Sequence, residues 1–317
     1  AAAITAPARL AGAGPAGMLP PMLRALLLAA SLLTACAPTT SSSPPTDAPL
    51  CPVATRPAEL PVPADMSVAP AANTPAPLLL RNARVIDGSG GAPQPGVDVL
   101  IVGGRITQIG PKLAPPAGGA VLDLAGRTLL PGFIDAHTHM CSDPQSSHAE
   151  GIAQAVRASE ADAALRGAAN ARATLLAGFT TVRNVGGGLA DRSLRDAIAG
   201  GLVAGPRMLV ANHSIGMTGG HCDDTNGLRP DLFGGPPDFR VGIADGPEEL
   251  RKAVRHQIKL GADVIKICAT GGVLSQGDGV GAPQLTRAEM QAVVDEAVRA
   301  DRKVAAHAHG TLGIKDA

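Results

Sequence analysis

The sequence has almost no aromatic residues: it contains no Trp, no Tyr and only four Phe. A core must therefore be built from Ala, Val, Leu and Ile, and an apolar fraction of 45% is large enough to supply one. The formal net charge is zero and no basic stretch stands out, which argues against a nucleic-acid partner. The five cysteines include no CxxC pair, so they indicate neither a zinc finger nor a dense disulfide framework.

A long apolar run is lacking as well. Residues 25–33 are apolar and follow Arg24, but the run is too short to span a bilayer as a stable helix and is typical of a signal peptide. The sequence Leu-Thr-Ala-Cys that ends at Cys36 resembles the lipobox of bacterial lipoproteins. We therefore expect an exported protein that is lipidated at Cys36. The residue after the cysteine, Ala37, favours anchoring in the outer membrane, with the protein on the periplasmic side. An ordinary signal peptide that contains a cysteine is the alternative.

Composition divides the chain into four segments. Residues 1–36 are upstream residues plus the signal peptide, and residues 37–77, rich in Pro, Ser, Thr and Ala, are predicted to be a disordered tether. Residues 78–127 contain short alternating strands, among them a hairpin at Gly103-Gly104, and predict a small antiparallel β unit. From residue 128 to residue 317 strands alternate with helices, which predicts a parallel sheet in an α/β fold.

The α/β segment contains five strand–helix units, and polar residues gather where its strands end. This arrangement is typical of a (β/α)8 TIM barrel, whose active sites lie at the carboxyl ends of the strands. Such a barrel needs roughly 250 residues, and about 190 are present from residue 128 onward. We therefore expect a barrel truncated after about the fifth unit, with a complete smaller α/β sheet as the alternative.

Four histidines and a lysine occupy these strand ends. His137 and His139 follow an apolar run after a Pro-Gly turn, which predicts a buried strand. They share one face of that strand, because residues i and i+2 project to the same side, and this suits two ligands of one metal ion. His307 and His309 repeat the spacing at the end of the fifth strand, and Lys266 lies within the fourth.

Lys266 is unusual because it lies between two isoleucines on a central strand, where burial of an ammonium group is costly. It could be an ordinary salt-bridged lysine or a Schiff-base nucleophile of depressed pKa. It could also be carbamylated by carbon dioxide, which would give a carboxylate able to bridge two metal ions. The four histidines that converge on the same rim favour the carbamate over the salt bridge.

These motifs resemble those of the amidohydrolase superfamily. The stretch from Pro131 to His139 closely matches the first-strand motif of that family. The sequence around Lys266 with Gly271-Gly272, and the sequence around His307, resemble the branch that holds imidazolonepropionase-like proteins and metal-dependent Xaa-Pro dipeptidases. The resemblance covers residues 78–317 and implies a TIM barrel preceded by a small β-sandwich subdomain.

The resemblance also implies a ligand set for two divalent ions, with zinc as the expected metal. His137 and His139 would bind one ion, Lys266 as a carbamate would bridge both, and His307 would bind the second. His309 matches the motif but is expected to face the substrate or to support a ligand.

Other histidines receive less specific interpretations. His221 lies in a Gly-Gly-His-Cys-Asp loop that also resembles the family, and it is a candidate for substrate contact, with a plain loop histidine as the alternative. His148, His213 and His256 are interpreted as ordinary histidines, and His256 is expected on the solvent face of a helix.

Two parts that the resemblance leads us to expect are absent from the sequence: a metal-binding His on a sixth strand and a catalytic Asp on an eighth. No catalytic residue is therefore assigned, and the chain as it stands is expected to be inactive. For the full-length parent we expect metal-assisted hydrolysis of a carbon–nitrogen bond in a small molecule or dipeptide. Assembly into oligomers is possible.

Export favours a scavenging dipeptidase of the Xaa-Pro type. An imidazolonepropionase-like enzyme or a cyclic-amide hydrolase is the alternative within the family, and a mononuclear deaminase would leave Lys266 without a role. From another class, a non-catalytic surface lipoprotein or an inactive fragment remains open.

Overall fold

The computed structural model of the chain describes residues 76–142, 148–229, 231–273, 275 and 277–317. All of them belong to one unit of the chain, Pro63–Ala317. The predicted signal peptide with Cys36, and the predicted tether as far as residue 75, lie outside these residues. Within the described ranges no helix has both the length and the apolar character needed to cross a membrane.

Ten strands and six α-helices follow one another along the described chain. In order they are β1 (Leu78–Val85), β2 (Gln94–Val102), β3 (Arg105–Gly110), β4 (Ala120–Asp123), β5 (Thr128–Leu129), β6 (Phe133–Thr138), α1 (His148–Arg157), α2 (Glu160–Leu176), β7 (Phe179–Asn184), α3 (Leu189–Ala199), β8 (Arg207–Val210), α4 (Gly246–Lys259), β9 (Val264–Cys268), α5 (Arg287–Arg299), β10 (Lys303–His307) and α6 (Thr311–Asp316). A 3-10 helix, Phe239–Val241, precedes α4.

The first five strands form one sheet in the order β3-β2-β1-β4, and β5 also pairs with β1. The predicted hairpin is confirmed, because β2 and β3 pair antiparallel. The expectation of an entirely antiparallel unit is wrong: β4 pairs parallel to the first half of β1, and β5 pairs parallel to its second half. Two short strands thus share one edge of β1. The second sheet of a β-sandwich stays a prediction.

The remaining strands all pair in parallel, as the alternation of strands and helices predicts. One sheet has the order β6-β7-β8 and a second joins β9 to β10. A parallel bridge between Ile215 and Ile267 connects the segment after β8 to β9. The five strands therefore follow each other in sequence order, with helices between them.

Two apolar clusters pack the helices onto these strands. One lies under β9, contains Ile265, Ile267, Leu250 and Val293, and is packed mainly from α4 and α5. The other lies under β7 and β8, contains Val182, Leu194 and Val210, and includes α2 and α3. As the composition requires, the buried members of both clusters are aliphatic or sulfur-containing side chains rather than aromatic rings.

Local signals predicted some elements better than others. The pattern Thr-x-x-Glu at Thr286–Glu289 predicts a capping box at the start of α5, and this is confirmed, with both reciprocal hydrogen bonds present. The prediction of a buried strand before His137 is wrong, since Phe133 is 50% exposed and Ile134 is 71% exposed. The reason is position: β6 pairs only with β7 among the described strands. Helix α1 lies between β6 and α2, where the sequence pattern predicts no helix.

Candidate functional site

The predicted ligands lie on the face of the parallel strands that points away from the helices. On β9, Ile265 and Ile267 pack into the helix-side cluster, so Lys266 between them projects to the opposite side. On β10, Val304 packs against the same cluster, and His307 therefore faces the same side as Lys266. The strand geometry brings side chains from separate parts of the sequence to one edge.

His137 and His139 form the first pair at this edge. Their ring centroids lie 5.3 Å apart. The Nδ1 of His139 lies 2.9 Å from the carbonyl oxygen of Gly186, which orients the ring. Gly186 has a φ of +149°, and a Cβ there would lie 3.2 Å from the His139 ring. Position 186 therefore favours glycine for both its backbone conformation and the space around it.

Lys266 is only 5% exposed, and it is close enough to His137 and His307 for its charge to add to the effect of burial in lowering the pKa of both. Burial, and secondly the positive charge of Arg183, lower the pKa of Lys266 to about 8. Among the residues described, Lys266 forms no ion pair, so the salt-bridge interpretation has no partner there. An amine with this pKa is neutral at pH 7 far more often than an exposed lysine is. The Schiff-base and carbamate interpretations both require a neutral amine.

His307 is the centre of a second group of imidazoles. Its ring centroid lies 4.9 Å from that of His309 and 4.1 Å from that of His221. The Nε2 of His307 lies 3.2 Å from the carbonyl oxygen of Gly271. The predicted substrate loop therefore reaches the end of β10, where His221 stacks beside a predicted metal ligand.

Three imidazoles of this site, those of His137, His221 and His307, have lowered pKa values that favour their neutral form. Burial, followed by the charge of His307, lowers the pKa of His221 to about 4. Burial also lowers the pKa of His307, and partial removal from water together with the charge of Lys266 lowers that of His137. Neutral imidazole nitrogens are the form that binds a metal ion.

The donor set fits a divalent metal in its chemistry, because it combines neutral imidazoles with an amine of lowered pKa. His221 adds a buried Nδ1 that has no hydrogen-bond partner in the described part of the chain. The ring contacts pair His137 with His139 and His307 with its two neighbours. Over the described ranges, no three His, Cys, Asp or Glu side chains are grouped closely enough to hold a metal together.

A cavity of about 510 Å³ opens beside His221. Its lining includes side chains of both charge signs from the helices and from the loop, namely Glu160, Arg166, Asp223 and Asp224. Ligand pockets of small molecules have volumes of roughly 300–1,000 Å³. The cavity therefore has the size and the polarity for a small polar ligand next to the imidazole group.

The other predicted histidines do not join this group. Position 148 begins α1, and its side chain lies outside the described residues. His213 is half-buried and its pKa is lowered by burial. The expectation that His256 faces solvent is wrong in part, because its ring packs edge-on against Phe239 at 5.4 Å. The ammonium of Lys252 lies 4.0 Å from the centre of the same Phe239 ring.

Sequence reasoning missed a disulfide bond between Cys222 and Cys268. Cys222 follows His221 in the loop, and Cys268 ends β9 two residues after Lys266. The one available signal was that each of these cysteines stands beside a candidate site residue. Cys141 is a buried free thiol whose pKa is raised by burial.

Comparison with known proteins defines the class. The sequence profile of the Amidohydrolase family matches residues 128–317. The chain therefore belongs to the Amidohydrolase family, whose members hydrolyse amide bonds and generally use divalent metals.

Similarity extends to individual proteins. The chain is 35% identical to ochratoxinase of Aspergillus niger over 201 residues, which are 59% of this chain and 40% of that protein. It superposes on a Xaa-Pro dipeptidase with bound methionine in its active site, with a TM-score of 0.70 and 39% identity over 76% of this chain and 59% of the other. A prolidase complexed with N-methylphosphonate-L-proline gives a TM-score of 0.66 and 34% identity, over 76% and 58%. The chain thus spans less than two thirds of the length of each.

Proposed function

We propose that the protein is a metal-dependent amidohydrolase that cleaves the amide bond of a dipeptide, with Xaa-Pro dipeptides as the leading substrates. The observation that carries the proposal is the state of Lys266, a buried amine of lowered pKa whose charge acts on both His137 and His307. Because the chain spans only part of its relatives, the activity is proposed for the whole protein rather than for residues 1–317 alone.

Carbamylation is the proposed state of Lys266. The neutral Nζ attacks carbon dioxide, an N–C bond forms, and one proton leaves the nitrogen for solvent. The product is a carboxylate at the end of a lysine side chain. A lowered pKa favours this reaction because it raises the fraction of free amine at neutral pH.

His137 and His139 would hold one divalent ion, the carbamate of Lys266 would hold both, and His307 would hold the second. Zinc is the expected metal, because imidazole and carboxylate ligands suit it. Such ions, when bound, lower the pKa of a water molecule and polarise the scissile carbonyl group. The chain's own residues fix these ligands on or directly after strands, and the surroundings of His137 and His307 favour their neutral imidazoles.

His221 and His309 are proposed to contact the substrate. His221 is neutral, and its unpartnered Nδ1 has unused hydrogen-bonding capacity beside the 510 Å³ cavity. The ring of His309 lies 4.9 Å from that of His307 and is exposed, so a ligand could reach it. No residue of this chain is assigned to proton transfer to the leaving amine.

The substrate class is supported by the relatives. A Xaa-Pro dipeptidase and a prolidase are among the structures that the chain resembles at more than 30% identity. A substrate of the kind that ochratoxinase hydrolyses is the alternative to a Xaa-Pro dipeptide. Two further alternatives are an imidazolonepropionase-like reaction and the hydrolysis of a cyclic amide. A panel of substrates that includes both kinds would distinguish these reactions from peptide hydrolysis.

We further propose that the protein is exported and anchored by a lipid at Cys36 on the periplasmic side of the outer membrane. The support is the sequence alone: a short apolar run after Arg24 and the lipobox-like residues that end at Cys36. Radiolabelled palmitate incorporation that is lost in Cys36→Ser would support the anchor, and incorporation that persists in the variant would contradict it.

The decisive experiment measures metal content and hydrolysis together, with the reading frame continued to its natural stop. We expect about two zinc ions per chain and hydrolysis of Xaa-Pro dipeptides. Both should be lost in Lys266→Ala, together with the carbamate signal that ¹³C-labelled bicarbonate gives in NMR spectra. Lys303→Ala is the matched control, because Lys303 is an exposed lysine of the neighbouring strand β10.

Other outcomes contradict the proposal. One ion per chain that persists in Lys266→Ala would place the protein among mononuclear enzymes. A protein that binds no metal and hydrolyses none of the panel would favour a non-catalytic surface lipoprotein.

A further inference from the structure

We propose that the disulfide bond between Cys222 and Cys268 is the positioning element that holds His221 beside His307, and that its presence sets how tightly the site takes its substrate. The inference about substrate rests on the proposed function. The inference about the position of His221 does not.

The bond joins two parts of the site directly. Cys222 lies in the loop that follows β8, and Cys268 is the last residue of β9. The two Cα atoms lie 6.0 Å apart, and the residues are 46 positions apart in sequence. His221 is therefore one residue from a covalent attachment to the strand that carries Lys266.

The loop is hydrogen-bonded to other segments before residue 219, through Ile215 and Thr218, whereas the bonds of residues 219–226 are mostly internal. The carboxylate of Asp223 accepts hydrogen bonds from the backbone N–H of Gly219 and from the N–H and hydroxyl of Thr225. These bonds fix the shape of the loop, because they close it on itself. They do not by themselves fix where residues 219–226 lie relative to β9, because the backbone hydrogen bonds between the loop and β9 are made by Ile215, six residues before His221.

His221 has a second attachment, a single hydrogen bond to Gln284 in the segment before α5. The N–H of His221 donates to Oε1 of Gln284 at 2.9 Å, and Gln284 in turn donates to Asp278. One neutral hydrogen bond has a modest net strength in water, whereas a disulfide is covalent. The disulfide is thus the stronger of the two attachments of His221.

The ring of His221 fits a narrow space. It lies against the backbone of Gly272, where a Cβ would overlap the ring, and 4.1 Å from the ring of His307. Its Nδ1 makes no hydrogen bond to any described residue. Packing and backbone position therefore place the ring, and a shift of the loop would move it.

Loss of the bond should affect binding more than chemistry. Lys266 and His307 lie on strands and keep their places when the loop moves, so the metal content and kcat should change little. His221 would sample positions away from His307, and the KM for a dipeptide should rise. A bond that served stability alone would leave KM unchanged in the folded protein.

The test compares the oxidised protein, the protein reduced with dithiothreitol, and the Cys222→Ser/Cys268→Ser double variant. Dithiothreitol gives two electrons and two protons to the bond, which yields two thiols and the cyclic disulfide of the reagent. Reduction of the double variant is the matched control, because any effect of the reagent there does not come from this bond.

Two readouts need no enzymatic activity. We expect amide hydrogen exchange over residues 219–226 to become about tenfold faster once the bond is absent. Modification of His221 by diethyl pyrocarbonate, followed by peptide mass analysis, should also become faster. His256 on α4 is the internal reference, and its modification should not change.

The kinetic readout is a rise in KM of about tenfold with kcat within about threefold, in both the reduced protein and the double variant. Unchanged exchange and unchanged His221 reactivity would overturn the proposal. So would two free thiols at Cys222 and Cys268 in the protein as isolated, or equal losses in kcat and kcat/KM. If the oxidised protein hydrolyses nothing, the proposed function fails, while exchange and modification still decide the position of His221.

Discussion

The two parallel sheets, which form the two halves of the strand–helix segment, carry the same His-x-His motif but support it in different ways. In the half formed by β9 and β10, every residue of β9 is buried, and a disulfide ties its end to the neighbouring loop. In the half formed by β6, β7 and β8, no residue of β6 is buried. Its histidines depend on contacts such as that between His139 and the carbonyl of Gly186.

The difference shows that motif spacing determines the face on which side chains lie but not how firmly they are held. The i, i+2 rule places both pairs on the same side of their strands. Support comes from neighbours in space, and these differ between an exposed strand and a strand packed on a core. The following predictions test the comparison between the halves.

The largest effect is expected from the disulfide. Closing a ring of 46 residues stabilises the folded state by about 4 kcal/mol when the unfolded chain is treated as flexible. The Cys222→Ser/Cys268→Ser variant should lose a free energy of unfolding of that order in urea, followed by circular dichroism. A loss below about 1 kcal/mol would mean that the half with β9 does not owe its stability to this bond.

The next effect separates the strands themselves. Ile265→Ala in β9 removes a fully buried side chain and should lower the free energy of unfolding by about 3 kcal/mol. Ile134→Ala in β6 is the matched control, because Ile134 is 71% exposed, and it should change the free energy by less than about 0.5 kcal/mol. Equal losses would remove the contrast between the two strands.

The half with β6 has a buried carboxyl group whose charge is costly. Asp191 is fully buried, and neither carboxylate oxygen makes a hydrogen bond of good geometry within the residues described. Burial raises the pKa of Asp191 to about 7. Because the folded state prefers the protonated acid, its contribution to stability is complete below about pH 4 and is lost as the pH rises through about 7.

Asp191→Asn mimics the neutral acid at every pH. The variant should therefore gain up to about 4 kcal/mol over the wild type at pH 8, which is what a shift of about three pKa units corresponds to, and the gain should shrink toward pH 5. Asp301→Asn, at an exposed turn, is the control and should show no such trend. A gain that is independent of pH would mean that the charge of Asp191 is not its cause.

The smallest effect concerns the loop that contacts the half with β9. Gln284→Met leaves the N–H of His221 without its acceptor, which should cost about 1 kcal/mol. Amide exchange at His221 should be severalfold faster, while the disulfide keeps the loop near β9. Gln291→Met on the exposed face of α5 is the control. Exchange as fast as in the reduced protein would make Gln284, not the disulfide, the main attachment.

Periodicity and capping predicted much of this fold because those signals are local. The alternation of strands and helices predicted the parallel pairing, and Thr286 and Glu289 predicted the start of α5. The parallel pairing of β4 with β1 was missed, since strand direction in a short segment depends on the edge it reaches. The exposure of Phe133 was missed because an apolar run does not reveal which neighbours cover it.

For the site, the sequence predicted which side chains share an edge. His137 and His307 lie at the ends of β6 and β10, His139 directly follows β6, and Lys266 lies inside β9. Their roles as ligands stay predictions. The bond from Cys222 to Cys268 could not be predicted, because 46 residues separate the partners and only the folded chain brings them together.

The contact of Phe239 with Lys252 and His256 has a practical consequence for spectroscopy. The chain has no tryptophan and no tyrosine, so its intrinsic ultraviolet fluorescence is very weak. A tryptophan placed at position 239 would be the single strong emitter of the molecule. It would lie near the ammonium group of Lys252, which is 4.0 Å from the centre of the present ring. It would also lie near the ring of His256, whose centre is 5.4 Å from that of the present ring. Its fluorescence would then report changes at the junction between the 3-10 helix and α4, with almost no signal from the rest of the chain.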